Sequence, residues 1–326
     1  MRIAVLGAGA WGTALAIAFA GRHAVSLWAR NATRVADMAR LRENQRYLPA
    51  CTFPSSLQVT ADMMAALSVS DLAILAAPLA GLRPLLEQVK LITPTVPFLW
   101  VCKGLEADSG FLPHQVVEQV MGDVVCGVLT GPSFALEVAR GLPTAVTLAA
   151  TDADFAAGTA HALHGGNLRI YATEDLIGAE VGGAVKNVLA IATGICDGLG
   201  LGLNARAALI TRGLVEITRF GEALGASRET FMGLAGMGDL ILTCTGELSR
   251  NRRVGLLLAE GRALTDITRE LGHVAEGVPA AREVARRAAE LGIEMPITRA
   301  VTAVLDGRIT PRAAVEQLMA RDPKHE

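Results

Sequence analysis

The sequence predicts an α/β domain built on a doubly wound, mostly parallel sheet, followed by an all-α domain. Three observations predict it. Short, continuous apolar runs alternate with helix-length stretches through the first half of the chain. A G-x-G-x-x-G segment joins the first run to the first helical stretch. Past about Leu176 the strand patterning stops and helical periodicity takes over. At 326 residues, 51% hydrophobic and with a mean hydropathy of +0.39, the chain can bury a large core. That length favours two domains, because single cores stop growing near ~250–300 residues. We place them at residues 1–178 and 179–326.

The strands are expected at 2–6, 24–28, 72–76, 97–102 and 124–129. Their hydrophobicity is continuous rather than alternating, as in strands covered on both faces. Stretches such as 81–91 and 112–121 are long enough for crossover helices, and runs at 144–149 and 168–171 extend the sheet. In the second half, helices are expected over 204–224, 280–291, 297–305 and 311–319. Thr310-Pro311 reads as a cap followed by proline at the first helical position, and Gly292 as a C-terminal stop. The uncharged run 3–21 resembles a secretory leader, but Gly7, Gly9 and Gly12 interrupt it where a strand–turn–helix requires them. No other stretch reads as long and apolar enough to span a bilayer, so no stable membrane insertion is expected.

The net charge of −2 and a pI near 6.3 argue against nonspecific binding to nucleic acid or anionic membrane. With 34 glycines and 4% aromatic residues, the composition suits a glycine-turned α/β protein rather than a platform for stacking bases. The five cysteines (Cys51, Cys102, Cys126, Cys196, Cys244) are scattered without a C-x-x-C pair, which suits a reducing cytoplasm. The histidines form no ligand cluster beyond the loosely spaced His161 and His164, so no metal is expected.

The segment 3–16 carries the glycine fingerprint in its required context, with a strand before and a small-residue helix after. Gly7 allows the turn, Gly9 lets a pyrophosphate approach the backbone, and Gly12 lets the helix pack on the sheet. The helix N-terminus adds amide donors and partial positive charge. A second strand ends near Trp28, where an NAD-selective site usually carries an acid. Here the sequence runs Leu27-Trp28-Ala29-Arg30-Asn31, with no acid until Asp37. Arg30 therefore favours NADP(H) through its 2′-phosphate, with NAD(H) as the allowed alternative; a solvated surface arginine is the plain reading.

Lys103 and the Gly131-Pro132-Ser133 turn each follow an expected strand, so both should face the crevice beyond the carboxyl ends of the sheet. Taken singly, Lys103 is equally an ordinary loop charge. In the second half, Glu180-Val-Gly-Gly-Ala-Val-Lys186-Asn sets a lysine among small residues. On a helix, Val181, Val185, Val188, Leu189, Ala192 and Ile195 form the apolar side, while Lys186 faces Gly182, Gly183 and Ala190. A Gly-Gly pair costs a helix interior about 1 kcal/mol per residue relative to alanine. Either it makes room for a ligand beside a partly dry ammonium, or it serves close helix packing with Lys186 reaching solvent. Asp239, in Gly-Met-Gly-Asp, is either an isolated carboxylate that orients an ammonium or substrate hydroxyl, or a helix cap. Ser249-Arg250-Asn251, before the helical pattern 254–260, reads as a phosphate clamp or as a solvated basic helix start. With no metal-ligand pattern and no G-x-S-x-G elbow, Lys186 is the best general acid/base candidate.

Together these segments resemble the bacterial NAD(P)-dependent glycerol-3-phosphate dehydrogenase family nearly end to end. The matching motifs are GAGAWGTALA (7–16), ENQRYLP (43–49), KGLE (103–106), GPSFALEVARGLPTAV (131–146) and GAVKN (183–187). NARAALITRGL (204–214), GLAGMGDLILTC (233–244), SRN (249–251) and AEGV (275–278) continue the series. The resemblance implies an N-terminal Rossmann domain, a helical C-terminal domain and reversible reduction of dihydroxyacetone phosphate to sn-glycerol 3-phosphate, feeding glycerophospholipid synthesis in the cytoplasm. It implies Lys186 as the catalytic lysine and Lys103, Gly131, Ser133, Lys186, Asp239, Ser249, Arg250 and Asn251 as substrate contacts. Cofactor contacts fall at or near Gly7, Gly9, Ala10, Trp11, Gly12, Arg30, Tyr47, Lys103, Ala135, Arg250, Val274 and Glu276. Many members have serine where this chain has Ala10, which removes a side-chain donor and leaves the backbone amides. The partner implied is a small phosphorylated triose, with a homodimer left open.

As general acid near neutral pH, Lys186 needs a pKa lowered from ~10.4 toward ~7–8 by burial or a nearby cation. Two rival readings stay open at this level. One is another two-domain dehydrogenase acting on a 3-hydroxy acid or sugar acid, which would also use a helix lysine. The other is a redox-sensing dinucleotide-binding protein without turnover, which needs only the glycine loop.

Overall fold

The computed structural model describes residues 1–271 and 275–322. Its first half is a mixed but mostly parallel sheet. In chain order the elements are β1 (Arg2–Leu6), α1 (Ala10–Ala20), β2 (Ala24–Trp28), α2 (Ala32–Leu41), β3 (Glu43–Asn44), β4 (Leu48–Thr52), β5 (Gln58–Thr60), α3 (Met63–Leu67) and β6 (Leu72–Leu75). They continue with α4 (Leu82–Ile92), β7 (Phe98–Trp100), α5 (Pro113–Met121), β8 (Cys126–Thr130), α6 (Ala135–Ala139), β9 (Thr144–Ala149), α7 (Ala153–Leu163) and β10 (Leu168–Thr173). The eight-stranded sheet runs β10-β9-β8-β7-β6-β1-β2-β5, with β3 and β4 forming a separate hairpin. Every neighbouring pair in the large sheet is parallel except β8 and β9.

Both faces of the central strands are dry, which is why their sequences read as unbroken apolar runs. Ile3, Val5, Leu27, Ile74, Leu99 and Leu129 pack under α1 on one face. Ala4, Leu6, Ala73, Leu75, Phe98 and Trp100 pack under α4 and α5 on the other. The expected strands all form, with ends shifted by one or two residues at β6, β7, β8 and β10. Three strands had no apolar run to announce them. β3 and β4 form the separate hairpin and β5, of three residues, is the edge strand of the large sheet; each has a solvated side that weakens the hydrophobic pattern.

The second half is helical: α8 (Leu176–Gly198), α9 (Gly202–Ala223), α10 (Arg228–Met232), a π-helical turn (Leu234–Gly238), α11 (Asp239–Thr245), α12 (Arg250–Ala259), α13 (Leu264–Leu271), α14 (Gly277–Glu290), α15 (Pro296–Leu305) and α16 (Pro311–Met319). The expected division at residue 178 falls in the first turn of α8, whose N-cap is Asp175. This helix is the axis of the half, buried along nearly its whole length and wrapped by α9, α11, α12, α14 and α15. Length and mean hydropathy of 1.3 would let α8 cross a membrane, but 94% of that window is buried inside the protein. The leader-like N-terminal run is β1 and α1, both built into the sheet domain.

α8 is tied to the sheet as well. Glu180 accepts hydrogen bonds from the Trp100 indole (3.0 Å) and the His114 amide (2.9 Å), and its second oxygen meets His114 Nδ1 at 2.5 Å. Burial pushes the Glu180 carboxyl above its usual range, opposed by the His114 imidazole. The crossing of α8 with α12 is set by two glycines. A β-carbon on Gly194 would lie 2.0 Å from the Arg252 carbonyl oxygen, and one on Gly255 would lie 2.1 Å from that of Ile191. Backbone against backbone, this contact brings the start of α12 alongside the stretch of α8 that carries Lys186.

Candidate active site

The strands β1, β2, β6, β7 and β8 are mutually parallel, so the loops after them share one edge. Gly7, Arg30, Lys103 and Gly131 therefore lie along one crevice, the place where open parallel sheets bind ligands. Gly7 has φ of 125°, a conformation that side chains rarely adopt. Gly12 is equally constrained: a β-carbon there would lie 2.0 Å from the Gly7 carbonyl oxygen and 2.7 Å from Ala76 Cβ. Gly9 is the opposite case, with nothing within 4 Å of an added β-carbon. It caps α1 without a side-chain hydrogen bond, and the first turn, with half-buried Ala10 and Trp11, carries no acid. An open backbone approach and a helix start free of negative charge fit a dinucleotide pyrophosphate.

The loop is braced from the β3–β4 hairpin. Asn44, 3% exposed, donates from Nδ2 to the Ala8 carbonyl (2.9 Å) and the Thr13 hydroxyl (2.8 Å), while its Oδ1 accepts from the Tyr47 amide (3.3 Å). The same hairpin carries Tyr47, whose hydroxyl accepts from Arg34 (3.4 Å) and whose ring lies 5.4 Å from the Arg46 guanidinium. Arg30 is exposed just past β2.

Across the crevice, the π-helical turn delivers Asp239 to the first position of α11. Its carboxylate caps no helix; Gly238 holds that place. It takes two ammonium groups instead. Oδ1 accepts from Lys186 on α8, and Oδ2 accepts from Lys103 Nζ at 2.7 Å, bridging the helical half to the loop after β7. Lys186 also donates to the Thr243 hydroxyl (3.0 Å), which itself donates to the Asp239 carbonyl (2.6 Å). Side-chain exposure is 8% for Lys186, 2% for Asp239 and 16% for Lys103, so this is a dry cluster of charges. Burial, aided by the Lys103 cation and opposed by Asp239, lowers the Lys186 pKa to about 8. Glu276, half-buried at the start of α14, has its carboxyl pushed up by burial and pulled down by Lys103, Arg250 and Lys186.

The Gly-Gly pair before Lys186 does not leave room for a ligand. A β-carbon on Gly182 would lie 2.3 Å from the Ala235 carbonyl oxygen, and one on Gly183 would lie 3.3 Å from Lys103 Cδ. Protein fills the space: the π turn presses on Gly182 and the Lys103 stem on Gly183. The glycines thus let Asp239 and Lys103 come close enough to meet Lys186.

The Ser249-Arg250-Asn251 segment opens α12 four residues earlier than its apolar pattern suggests, because Ser249 is the N-cap and accepts from the Arg252 amide (3.3 Å). Arg250 is exposed there. Asn251 is buried and donates to Asn187 Oδ1 (2.9 Å), while its own Oδ1 accepts from the Gly277 amide (3.0 Å). Arg252 and Arg206 both donate to Asp197 near the end of α8. In the opposing loop, Gly131 has φ of 130° and its carbonyl accepts from the Ser133 hydroxyl (3.0 Å), and Ala135 opens α6. Val274 lies outside the described residues. Among the described residues no group of three or more His, Cys, Asp or Glu side chains is placed to hold a metal.

Sequence reasoning passed over Thr243, Asn44, Asn187 and Thr130. Thr243 stands four residues after Asp239, the spacing that stacks two side chains on one helix face. Asn44 lies in the ENQRYLP motif, yet only the folded hairpin brings it under the glycine loop.

A glycine-loop sheet domain facing a helical domain that presents a dry lysine is a two-domain, nicotinamide-dependent dehydrogenase. Which one is decided by similarity. Residues 2–156 match the family model for the NAD-dependent glycerol-3-phosphate dehydrogenase N-terminus, and residues 175–316 match that for its C-terminus. The glycerol-3-phosphate dehydrogenase [NAD(P)+] of Dechloromonas aromatica is 63% identical over 100% of this chain and 99% of its own. That of Aromatoleum aromaticum is 60% identical over the whole of both chains. The crystal structure of glycerol-3-phosphate dehydrogenase from Coxiella burnetii superposes with a TM-score of 0.93 at 43% identity, covering 98% of each chain. This chain belongs to the NAD(P)-dependent glycerol-3-phosphate dehydrogenase family of oxidoreductases.

Proposed function

We propose that the protein reduces dihydroxyacetone phosphate reversibly to sn-glycerol 3-phosphate, with Lys186 as general acid/base and NADPH preferred over NADH. The carrying observation is the buried Lys186–Asp239–Lys103 cluster at the crevice edge of the sheet, with Asn251 tied to Asn187 next to Lys186. When bound, the reduced nicotinamide supplies a hydride to the substrate's ketone carbon. Lys186, an ammonium below about pH 8, donates a proton to the carbonyl oxygen as charge develops there. Asp239 and Thr243 take two of its N–H bonds and aim the third at the substrate. In the oxidising direction the neutral amine removes the hydroxyl proton.

Lys103 and Asp239 orient the reacting end of the triose, and Gly131 and Ser133 line the opposing wall. Arg250, Ser249 and Asn251 hold the phosphate: a guanidinium, a helix start and the second N–H of a fixed amide. Gly7, Gly9, Ala10, Trp11 and Gly12 hold the cofactor's pyrophosphate, while Lys103, Ala135, Arg250 and Glu276 lie toward its nicotinamide. Arg30, with Arg34 and Arg46 around Tyr47, makes the adenosine end cationic, and no acid stands between Trp28 and Asp37. That balance supports NADP(H).

In this reading residues 1–178 serve the cofactor and 179–326 the substrate, and the enzyme works in the cytoplasm on a small phosphorylated triose. It neither inserts in membrane nor binds nucleic acid; self-association, where it occurs, gives a homodimer. The test is loss of NADPH absorbance on adding dihydroxyacetone phosphate, with NADH and unphosphorylated dihydroxyacetone in parallel. Rapid oxidation only with the phosphate supports both reaction and substrate, and faster turnover with NADPH than NADH supports the arginine reading. Silence with NADPH still bound would return the protein to the acid-dehydrogenase or sensor readings.

A further inference from the structure

Thr130 ends β8 on the crevice edge of the sheet, one residue before the Gly131–Ser133 turn. It is 2% exposed, and its hydroxyl oxygen is buried without a hydrogen-bond partner among the described residues. A buried, unsatisfied hydroxyl bears its full desolvation penalty, whereas valine would fill the same shape without it. The orphan atom lies beside the charge cluster. A β-carbon on Gly183 would sit 3.3 Å from Thr130 Oγ1, 3.3 Å from Lys103 Cδ and 3.4 Å from Lys103 Cγ. The hydroxyl, the lysine stem and α8 therefore meet at one point, one helical turn before Lys186. The Lys103 ammonium lies beyond it, on Asp239 Oδ2 at 2.7 Å. With Cγ and Cδ held against Gly183, rotation about the Cγ–Cδ and Cδ–Cε bonds swings the ammonium away from Asp239 while the stem stays in place.

We infer that Thr130 is a positioning residue, whose hydroxyl accepts a hydrogen bond from Lys103 when the triose phosphate enters and its own hydroxyl takes Lys103's place on Asp239. A charge leaving a carboxylate in a dry crevice needs another acceptor, and Thr130 holds one with a lone pair unused. The inference rests on Lys103 contacting the substrate, as proposed above, and Lys103→Met tests that premise by itself.

The experiment measures KM for dihydroxyacetone phosphate, the Kd for NADPH and the Tm in Thr130→Val and Thr130→Ser, each with and without Lys103→Met. In Thr130→Val we expect KM to rise about 10-fold, the worth of one hydrogen bond to a charge, with NADPH Kd unchanged. Its Tm should equal or exceed that of the parent, since no unsatisfied hydroxyl remains. Thr130→Ser should restore KM to within about 3-fold, and Thr130→Val should add less than about 2-fold on top of Lys103→Met. A parental KM in Thr130→Val overturns the inference, as does an equal rise in the Lys103→Met background. If Thr130→Val does not fold, Thr130→Ala carries the same expectation and the same refutation. A parental KM in Lys103→Met alone instead overturns the premise about Lys103.

Discussion

The two walls of the crevice are made of opposite materials. On the sheet side, the glycine loop works through backbone: Gly9 is open, the first turn of α1 carries no acid, and the buried Asn44 side chain acts from behind. On the other side the wall is charge: Lys186 and Asp239 come from the helical half and Lys103 reaches over from the loop after β7, placing two ammonium groups on one carboxylate in a region almost closed to water. A backbone site is indifferent to many side-chain changes, because amides and helix ends persist whatever the side chain. A buried ion cluster is not, since removing one member leaves another uncompensated. Mutational sensitivity should therefore be steep on the charged wall and shallow on the backbone wall.

Lys186→Ala should show the largest effect, a loss of at least ~10²-fold in turnover, with NADPH affinity within about 3-fold of the parent. Turnover near the parental rate would remove Lys186 from the chemistry. Next is Asn44→Ala, which deletes two hydrogen bonds that brace the loop. NADPH Kd, followed by tryptophan fluorescence, should rise about 10-fold while KM for the triose changes little. An equal rise in both would mean that Asn44 supports the fold in general rather than the loop.

The pH dependence sharpens the comparison on the charged wall. Because Lys186 has a pKa of about 8, kcat/KM for reduction should fall as pH rises through that value, while oxidation gains. Lys103 lowers this pKa, so Lys103→Met should shift the limb to higher pH; a shift downward would contradict the cluster's electrostatics. The smallest effect is expected for Ala10→Ser. Serine at this position adds a side-chain donor where backbone amides already suffice, so NADPH Kd should move less than about 2-fold. A tenfold gain would show that the loop relies on side chains after all.

Legibility in the sequence followed hydrophobic pattern. The covered strands were readable because burial on both faces leaves an unbroken apolar run, and the amphipathic helices because burial on one face leaves a period. β3, β4 and β5 were not, since the first two form a half-solvated hairpin outside the sheet and β5 is its three-residue edge strand. The same divide runs through the site. Lys186, Asp239 and Lys103 stood out as charges among small or apolar residues, yet nothing in their spacing linked them. Lys103 and Asp239 are 136 residues apart, and their contact exists only because the end of β7 faces the start of α11. Gly182 and Gly183 left two readings open, room for a ligand or close packing with Lys186 in solvent, and the structure takes the packing while burying Lys186. Their smallness did mark a close approach, but of the Ala235 backbone and the Lys103 stem rather than a ligand.

The sequence by itself determined the α/β-then-α order, the glycine loop and the chemical types available to the site, because these depend on local periodicity and on residues close together in the chain. Tertiary structure alone decided that Asp239 would hold two lysines, that Asn44 would brace the loop and that Lys186 would titrate near pH 8. A pKa is set by desolvation and by charges within a few ångströms. Those distances come from packing between segments far apart in sequence, which local pattern does not encode.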